Sequence, residues 1–117
     1  MIGLTFICAL AVAIDGDTLR CSSPLPDGNF RVRLARIDAP ERGEQGWHEA
    51  RAALSGLAFE RQIECEQVDA DPRIDGFQWH DRFGRIVARC AAAGVSLERA
   101  MLDLGHAQAW PKENEAR

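Results

Sequence analysis

The first third of the chain carries apolar residues with the two-residue period of β-strands. Residues 5–14 form a β-rich apolar run, and residues 17–21 form a second run after Asp15 and Gly16. An Asp-Gly pair between two such runs is a strong hairpin signal, so Asp15-Gly16 is predicted as the turn. Residues 30–34 then alternate strictly between apolar and polar side chains, which predicts a half-buried strand.

The period lengthens in the middle of the chain. An apolar stripe with i, i+3, i+4 spacing predicts an amphipathic helix over residues 47–60. Strands are predicted at residues 63–68 and 85–90, and the Pro- and Gly-containing segments at residues 22–28 and 69–79 are predicted as loops.

A second helix is predicted near the end of the chain, where Ser96 is a favourable N-cap and Gly105 a favourable terminator. Its inward face is predicted to consist of Leu97, Ala100, Met101 and Leu104. The resulting order predicts an α+β fold, mainly β: a five-stranded Greek-key barrel of the OB type with two or three helices. Other small α+β arrangements fit the same order.

The length of 117 residues predicts a single domain over residues 1–117, with its core at about residues 5–110 and a polar tail at residues 111–117. The longest near-apolar stretch, Ile2 to Ile14, is shorter than the roughly 20 residues that span a bilayer. It also lacks the basic front of a secretory signal, so it is interpreted as a strand, with no membrane span. We expect a monomer.

The net charge of −4 is unfavourable for a nucleic-acid partner, because phosphate binding normally requires a basic surface. The distribution of the charged residues along the chain makes a nucleic-acid partner less unfavourable than the net charge suggests. Four carboxylates, those of Asp15, Asp17, Asp38 and Glu41, fall in two short motifs, and without them acids and bases balance at 14 each. A divalent cation bound by these motifs would offset part of their charge.

The four cysteines, at positions 8, 21, 65 and 90, have no zinc-site spacing. They are either small buried hydrophobes of a cytosolic protein or two disulfides of an oxidising compartment. The pairing Cys65–Cys90 joins two strands that are expected to be neighbours. Cys8–Cys21 requires a bulge or a register offset, because a turn at Asp15-Gly16 would place Cys21 opposite Leu10. The disulfide interpretation predicts an extracytoplasmic protein, periplasmic or secreted.

Four short segments contain the residue types that hydrolysis of a phosphodiester requires. That reaction needs an attacking water, a base to deprotonate it, and positive charge to meet the charge that builds on the phosphoryl group. A hard cation held by oxygen ligands can provide part of this charge. The segments are Asp15-Gly16-Asp17-Thr18, Arg33, Asp38-Ala39-Pro40-Glu41 and Asp81-Arg82-Phe83-Gly84-Arg85.

The acidic residues of these segments occupy positions from which side chains project into a cleft. Asp17 follows a hairpin tip and Asp38 ends a strand, and the backbone carbonyl of Ala39 lies beside Asp38. Glu41 stands beyond the rigid Pro40, which could fix it near a metal without making it a ligand. The planar forks of arginines suit phosphate oxygens.

Each segment also has a purely structural interpretation. Asp-Gly commonly forms only a turn, acids are favoured near helix N-termini, and an arginine on an alternating strand usually faces solvent. Arg33 and Asp38 are five residues apart, so strict alternation would place them on opposite faces of the sheet. A bulge or bend must therefore re-aim one of them.

In this order and spacing the four segments resemble the active-site signature of the staphylococcal nuclease-like family. The resemblance covers roughly residues 7–110. It implies an OB-fold barrel and Ca²⁺-dependent hydrolysis of DNA and RNA to 3′-phosphorylated products.

The resemblance also implies a role for each matching residue. Asp17 and Asp38 would be metal ligands, with the backbone carbonyl of Ala39 as a third. Glu41 would be the general base. Arg33 and Arg85 would bind the phosphate as catalytic residues, Asp15 would be a nearby acid outside the ligand set, and Arg82 and Phe83 would contact substrate.

Departures from the family pattern bear on substrate contacts rather than on hydrolysis. The chain has no tyrosine, so Phe83 would keep a stacking surface but lose a hydroxyl. Two other functions fit part of the sequence: a catalytically silent OB-fold module that binds single-stranded nucleic acid, and a Ca²⁺-stabilised structural domain. The second leaves Arg33 and Arg85 without a role, and the complete catalytic set opposes the first.

Overall fold

The computed structural model describes residues 3–22 and 29–112, in which the chain is mixed α and β, mainly β, with two helices. Most of the predicted loop at residues 22–28 and of the predicted tail at residues 111–117 lies outside the described residues. The elements are β1 (Thr5–Cys8), β2 (Leu10–Asp15), β3 (Thr18–Ser22), β4 (Asn29–Leu34), β5 (Ile37–Asp38), α1 (Trp47–Ala58), β6 (Ile63–Gln67), β7 (Ile86–Ala92), β8 (Val95–Ser96), α2 (Leu97–Asp103) and β9 (Gln108–Ala109).

Seven of these strands form one sheet in the order β1-β6-β7-β4-β3-β2, with β8 paired to β7. The β4–β7 pair is parallel, and the other pairs of this sheet are antiparallel. Strands β5 and β9 form a separate antiparallel pair. Three of the strands, β5, β8 and β9, have only two residues each, which is too short for a periodic pattern to predict them.

The single strand predicted over residues 5–14 is wrong, because a bend at Ala9 divides it into β1 and β2. β1 pairs with β6 and β2 pairs with β3, so the two halves of one apolar run form the two end strands of the sheet order. Periodicity indicates which residues are apolar but not which neighbouring strand each segment pairs with. Within the described ranges no ladder joins β1 to β2, so the architecture is a seven-stranded sheet.

The hairpin between β2 and β3 turns one residue later than predicted. Asp15 is paired with Thr18, which leaves Gly16 and Asp17 as the turn, and the register shifts between Ala13 and Asp15. This irregularity places Cys21 opposite Ala11 rather than opposite Leu10. The predicted turn at Asp15-Gly16 is therefore corrected to Gly16-Asp17.

Both predicted disulfides are present. Cys65 and Cys90 are directly opposite one another on β6 and β7. Cys8 closes β1 just before the bend at Ala9, and its Cα lies 5.2 Å from that of Cys21 on β3. The bend, rather than a bulge in one continuous strand, brings Cys8 to Cys21.

The core lies between the inner face of the sheet and the two helices. The side chain of Ser96 caps α2 by accepting a hydrogen bond from Arg99 N at 3.0 Å, as predicted. Leu104 was predicted to face inward, which is wrong: it is 58% exposed, because α2 ends at Asp103 and Leu104 is only its C-cap. The largest fully buried side chains are those of Leu19, Val32, Leu34, Ile37, Leu54, Ile63, Leu97 and Met101.

Gly16 brings the β2–β3 turn into close contact with α1. A Cβ atom on Gly16 would lie 2.6 Å from the Cβ of Ala50 and 2.9 Å from that of Ala39. No larger residue fits there without moving the helix or the segment after β5. The turn that carries Asp17 is thus held against two other parts of the chain.

Glu98 is a buried acid in the first turn of α2, and its carboxylate accepts hydrogen bonds from the backbone N–H of Cys90. The hydroxyl of Ser96 donates a further bond at 3.3 Å. Burial raises the pKa of Glu98 to about 7, and these hydrogen bonds oppose the rise without cancelling it. Glu98 therefore links the stability of the fold to pH.

We expect the Glu98→Gln variant to become more stable than the wild type as pH rises. Because the pKa of Glu98 is higher in the folded chain, its contribution to stability is full below the unfolded value and is lost as pH rises through about 7. Glutamine keeps an acceptor for the N–H of Cys90 but does not ionise. Urea unfolding from about pH 4 to about pH 8 should change the difference between variant and wild type by on the order of 3 kcal/mol in favour of the variant.

Glu64→Gln provides the control, since Glu64 is exposed on β6. Its stability difference from the wild type should be nearly independent of pH. A Glu98→Gln protein whose difference is equally flat would show that the carboxylate keeps an ordinary pKa in the folded chain.

Candidate active site

The predicted site residues come together around one cavity of about 590 Å³. They arrive from the β2–β3 turn, the end of β4, the segment after β5 and the turn before β7. The cavity is lined by all nine of the predicted residues other than the cysteines: Asp15, Asp17, Arg33, Asp38, Ala39, Glu41, Arg82, Phe83 and Arg85.

Three adjacent strands place the central residues. Thr18 of β3 is opposite Arg33 of β4, and Arg33 is in turn opposite Val87 of β7. Asp17 and Arg85 immediately precede β3 and β7. An acid and an arginine therefore flank β4 on either side of Arg33.

Asp17 is buried, with 6% of its surface exposed, and each oxygen of its carboxylate accepts a hydrogen bond. Oδ2 accepts a hydrogen bond from the backbone N–H of Ala39 at 2.8 Å, and Oδ1 accepts one from the Thr18 hydroxyl at 3.0 Å. Burial raises the pKa of Asp17, while the charge of Arg33 and these two bonds act in the opposite direction. The backbone oxygen of Asp17 also accepts from Leu34 N, which fixes its position against β4.

Arg33 joins Asp17 to Asp38. Its Nη2 lies 3.4 Å from Asp17 Oδ2 and 3.5 Å from Asp38 Oδ1, and its Nη1 donates to the carbonyl oxygens of Leu34 and Ile37. Strict alternation would have separated Arg33 from Asp38, but the chain turns between β4 and β5. Arg36 in that turn has a φ of 63°, which re-aims Asp38 toward Arg33.

Glu41 is exposed and lines the cavity beyond Pro40. Its backbone N–H donates to the Glu44 carboxylate at 2.7 Å, and Glu44 N donates back to the carbonyl of Glu41 at 2.9 Å. In the part of the chain that the structure describes, the Glu41 carboxylate itself has no hydrogen bond or ion pair. It is thus held by its backbone and open to solvent.

Asp81 organises the turn that carries Arg85. Its Oδ1 accepts from the backbone N–H groups of Phe83 and Arg85, and its Oδ2 accepts from Arg85 Nε at 2.7 Å. Arg85 Nη1 reaches the Thr18 hydroxyl at 3.5 Å. The outer edge of the guanidinium therefore points toward the Asp17 side of the cavity while its Nε is held by the acid.

Phe83 is 67% exposed beside this turn. The guanidinium carbons of Arg82 and Arg85 lie 4.8 Å and 5.2 Å from the centre of its ring, within cation–π range. These three residues form a positively charged surface with one exposed aromatic face at the rim of the cavity.

Asp15 is held by a residue that the sequence marked only as part of a helical stripe. The indole N–H of Trp47 donates to Asp15 Oδ1 at 2.7 Å. Arg42 and Arg51 lie 5.0 Å and 5.5 Å from the centre of the Trp47 ring. Helix α1 therefore fixes Asp15 as well as packing on Gly16.

Three contributions were missed by sequence reasoning. Asp81 was part of a recognised segment but had no role assigned, although an acid four residues before an arginine was an available signal. Thr18 and Trp47 act through hydrogen bonds to Asp17 and Asp15, and no sequence pattern distinguishes them from ordinary buried residues.

The carboxylates fit a hard cation by donor type. No group of three or more Asp, Glu, His or Cys side chains that could hold a metal occurs within residues 3–22 and 29–112. Asp17 Oδ2 and Asp38 Oδ1, however, lie within 3.5 Å of the same Arg33 nitrogen, so both carboxylates face one guanidinium. Two carboxylates with a backbone carbonyl and water form an oxygen-only set of the kind that Ca²⁺ accepts.

Comparison with known proteins decides the family. A family model described as "Staphylococcal nuclease homologue" matches residues 31–117, well over half of the chain. The chain belongs to this family. The matched range contains Arg33, Asp38, Glu41 and Arg85, whereas Asp17 precedes it.

Two curated relatives of this family member are similar over part of their length. An "Uncharacterized endonuclease" of Haemophilus influenzae is 35% identical over 66 residues, which are 55% of this chain and 35% of that protein. "Protein ParB" of Escherichia coli is 42% identical over 59 residues, 50% of this chain and 32% of the relative. The chain thus matches about a third of the length of each relative.

The described helices include none long and apolar enough to cross a membrane.

We expect Asp81→Asn to lower the activity of the site by releasing Arg85. Asparagine keeps one acceptor for the backbone N–H groups but loses the charge that holds Arg85 Nε. A guanidinium misplaced by about 1 Å typically lowers kcat by roughly ten- to a hundredfold. Steady-state kinetics on a nucleic-acid substrate measure this loss.

The matched control is Asp103→Asn, which breaks the exposed pair with Arg99 at the same i, i+4 spacing, far along the chain from the cavity. It should leave kcat unchanged. Equal losses in both variants, or a loss in Asp81→Asn that follows a lowered Tm, would mean that Asp81 acts only on stability.

Proposed function

We propose that this nuclease-family domain hydrolyses phosphodiester bonds of DNA and RNA in a Ca²⁺-dependent reaction that leaves 3′-phosphorylated products. Family membership indicates a nuclease acting on nucleic acid, and the H. influenzae relative bears the name of an endonuclease. The observation that carries the proposal is the convergence of Asp17, Arg33, Asp38, Glu41 and Arg85 on one cavity from separate parts of the chain.

Asp17, Asp38 and the backbone carbonyl of Ala39 would hold the cation. When bound, Ca²⁺ supplies positive charge at the phosphate oxygens and lowers the pKa of water. Asp15, fixed by Trp47, adds negative charge nearby without being a ligand. Arg33 contacts the carboxylates of both Asp17 and Asp38, so its positive charge holds these two acids together without an ion.

Glu41 would act as the general base. It would take a proton from water, whose oxygen attacks phosphorus. The bond from phosphorus to the 5′-oxygen then breaks, and the 5′-oxygen leaves as a hydroxyl after taking a proton from solvent. Its carboxylate is exposed at the cavity, where water can reach it, and its backbone is bonded to Glu44. A base positioned in this way must be ionised to act.

Arg33 and Arg85 would contact the phosphate and stabilise the charge that develops there. Two planar forks, one on β4 and one immediately before the neighbouring strand β7, suit the non-bridging oxygens of one phosphate. Arg82 and the exposed ring of Phe83 would contact the neighbouring nucleotide.

A second candidate function is a module that binds single-stranded nucleic acid without catalysis. The exposed ring of Phe83 and the arginines beside it favour this candidate.

Three further proposals concern the location of the protein, the closure of its sheet and its oligomeric state. Two disulfides support an extracytoplasmic location, periplasmic or secreted, because such bonds persist in oxidising compartments. The adjacency of β1 and β2 in the chain, at the two ends of the sheet order, supports closure into an OB-type barrel. The third proposal is that the domain acts as a monomer.

We expect Glu41→Gln to lower kcat by roughly 10²–10⁴-fold, the usual contribution of a positioned general base. Glutamine keeps size and polarity, so folding and nucleotide binding should persist and KM should change little. Initial rates on single-stranded DNA and on RNA, measured with Ca²⁺ present, test this.

Glu49→Gln is the control, since Glu49 is exposed on the first turn of α1. It should retain the wild-type rate. A Glu41→Gln protein that cleaves at the wild-type rate would remove Glu41 from the mechanism. A wild type that binds an oligonucleotide but never cleaves it would favour the binding module.

We expect Ca²⁺ to support cleavage far better than Mg²⁺. The proposed ligands are two carboxylates and a carbonyl on separate segments, which suits the larger and less geometrically demanding ion. Activity measured after chelation and re-addition of each metal tests this, with Asp38→Asn as a variant that should require more Ca²⁺. Full activity in Mg²⁺ with Ca²⁺ excluded would contradict the proposal.

A further inference from the structure

A row of arginines crosses the outer face of the sheet beside the cavity. Arg20 of β3 and Arg31 of β4 are both exposed and stand directly opposite one another. β4 and β7 run parallel, and Arg31 and Arg85 each come one residue before the first paired residues of these strands, so the row continues to Arg85. The Nη1 of Arg85 lies 3.5 Å from the hydroxyl of Thr18 on β3, which shows that this side chain extends across β4.

Arg31 shares the face of β4 that carries Arg33. Successive side chains of a strand point to opposite faces, and Val32 and Leu34 are fully buried in the core. Arg31 and Arg33 therefore both lie on the outer face, with their Cα atoms roughly 7 Å apart along the strand. This is about the separation of consecutive phosphates in an extended nucleic-acid strand. Arg33 and Arg85 line the cavity, whereas Arg20 and Arg31 lie just outside its lining.

The sheet does not compensate the charges of Arg20 and Arg31. Their paired and diagonal neighbours on β2, β3 and β4 include no acid: Val12, Thr18, Ser22, Asn29 and Arg33. Among the residues that the structure describes, neither side chain has a hydrogen bond or an ion pair. Like charges directly opposite one another destabilise a sheet. The pair thus lowers stability and leaves two guanidinium forks free to bind an anion.

The position of the pair favours a phosphate of the substrate strand as that anion. In the proposed function Arg33 and Arg85 contact the scissile phosphate, and both are held by acids of the cavity. A strand that leaves the cavity over β4 brings its next phosphate to Arg31 and Arg20. Proteins that bind single strands follow the backbone with a positively charged surface, and a guanidinium fork matches phosphate oxygens.

We propose that Arg31 and Arg20 together bind the phosphate next to the scissile one. This inference rests on the proposed nuclease function and extends its site onto the outer face of β3 and β4. The contact is to the nucleic-acid backbone, so it carries no base preference. It strengthens the binding of substrates that have more than one phosphate.

Binding of two oligonucleotides of different length tests this inference. The probes are a thymidine dinucleotide with a single phosphate and a thymidine hexanucleotide, titrated by calorimetry with Ca²⁺ into Glu41→Gln protein so that they are not cut. Adding Arg20→Gln and Arg31→Gln together should weaken hexanucleotide binding on the order of tenfold at low salt. The slope of log Kd against log salt concentration should fall by about 0.7, the value for one phosphate of a single strand. Dinucleotide binding should not change.

Arg61→Gln in the same Glu41→Gln protein is the matched control, because Arg61 is exposed between α1 and β6 and its loss changes the net charge equally per residue. It should leave the binding of both probes unchanged. The protein with Arg20→Gln and Arg31→Gln should melt at or above the Tm of its parent, since a like-charge pair has been removed. Its weaker binding is then not a result of unfolding.

Four results would overturn the inference. They are unchanged hexanucleotide binding, an equal loss for the dinucleotide, an equal loss in Arg61→Gln, and a loss that disappears when deoxyadenosine replaces thymidine in the hexanucleotide. The first would assign this face to another partner, such as a second copy of the chain, and the last would indicate a base contact.

The same proteins separate this inference from the catalytic proposal, because binding requires no cleavage. A wild type that cleaves, together with unchanged binding after Arg20→Gln and Arg31→Gln, would reject the inference and leave the nuclease function standing. A wild type that cleaves nothing, together with the expected loss of hexanucleotide affinity, would reject the nuclease function and retain the two arginines as a nucleic-acid contact.

Discussion

The close contact between the Gly16 turn and helix α1 is the constraint on which the rest of the site depends. Only a residue without a side chain fits between Ala50 and Ala39, so the turn, the helix and the segment after β5 are locked to one another. This contact brings the Ala39 N–H to the carboxylate of Asp17 and the Trp47 indole to that of Asp15. Close packing in the interior therefore sets the positions of the polar groups.

The charged groups of the cavity are arranged so that each arginine at its centre is steadied by acid. Arg33 contacts Asp17 and Asp38, and Arg85 is bonded to Asp81. Fixed side chains need little reorganisation when substrate binds, which is the condition for effective electrostatic catalysis.

The sequence predicted which residues meet at the cavity better than it predicted the path of the chain. Strand alternation, the Ser96 cap and the residues around the cavity followed from local pattern and from resemblance to a family. The division of residues 5–14 at Ala9 did not, because one apolar run serves two strands with different partners. The proximity of Arg33 and Asp38 depends on the positive φ of Arg36, which no pattern predicts for an arginine. The prediction that Leu104 faces inward was wrong because the apolar periodicity continues past the end of the helix.

Arg33 also bears on how the domain reaches its native state. In many metal sites clustered carboxylates repel one another until the ion arrives, so the unloaded protein is loose or unfolded. Here an internal guanidinium contacts both acids and offsets part of their charge. These two acids are thereby held together in the fold without an ion. If the domain is secreted and binds calcium as proposed, it would arrive folded whatever the calcium content of its surroundings.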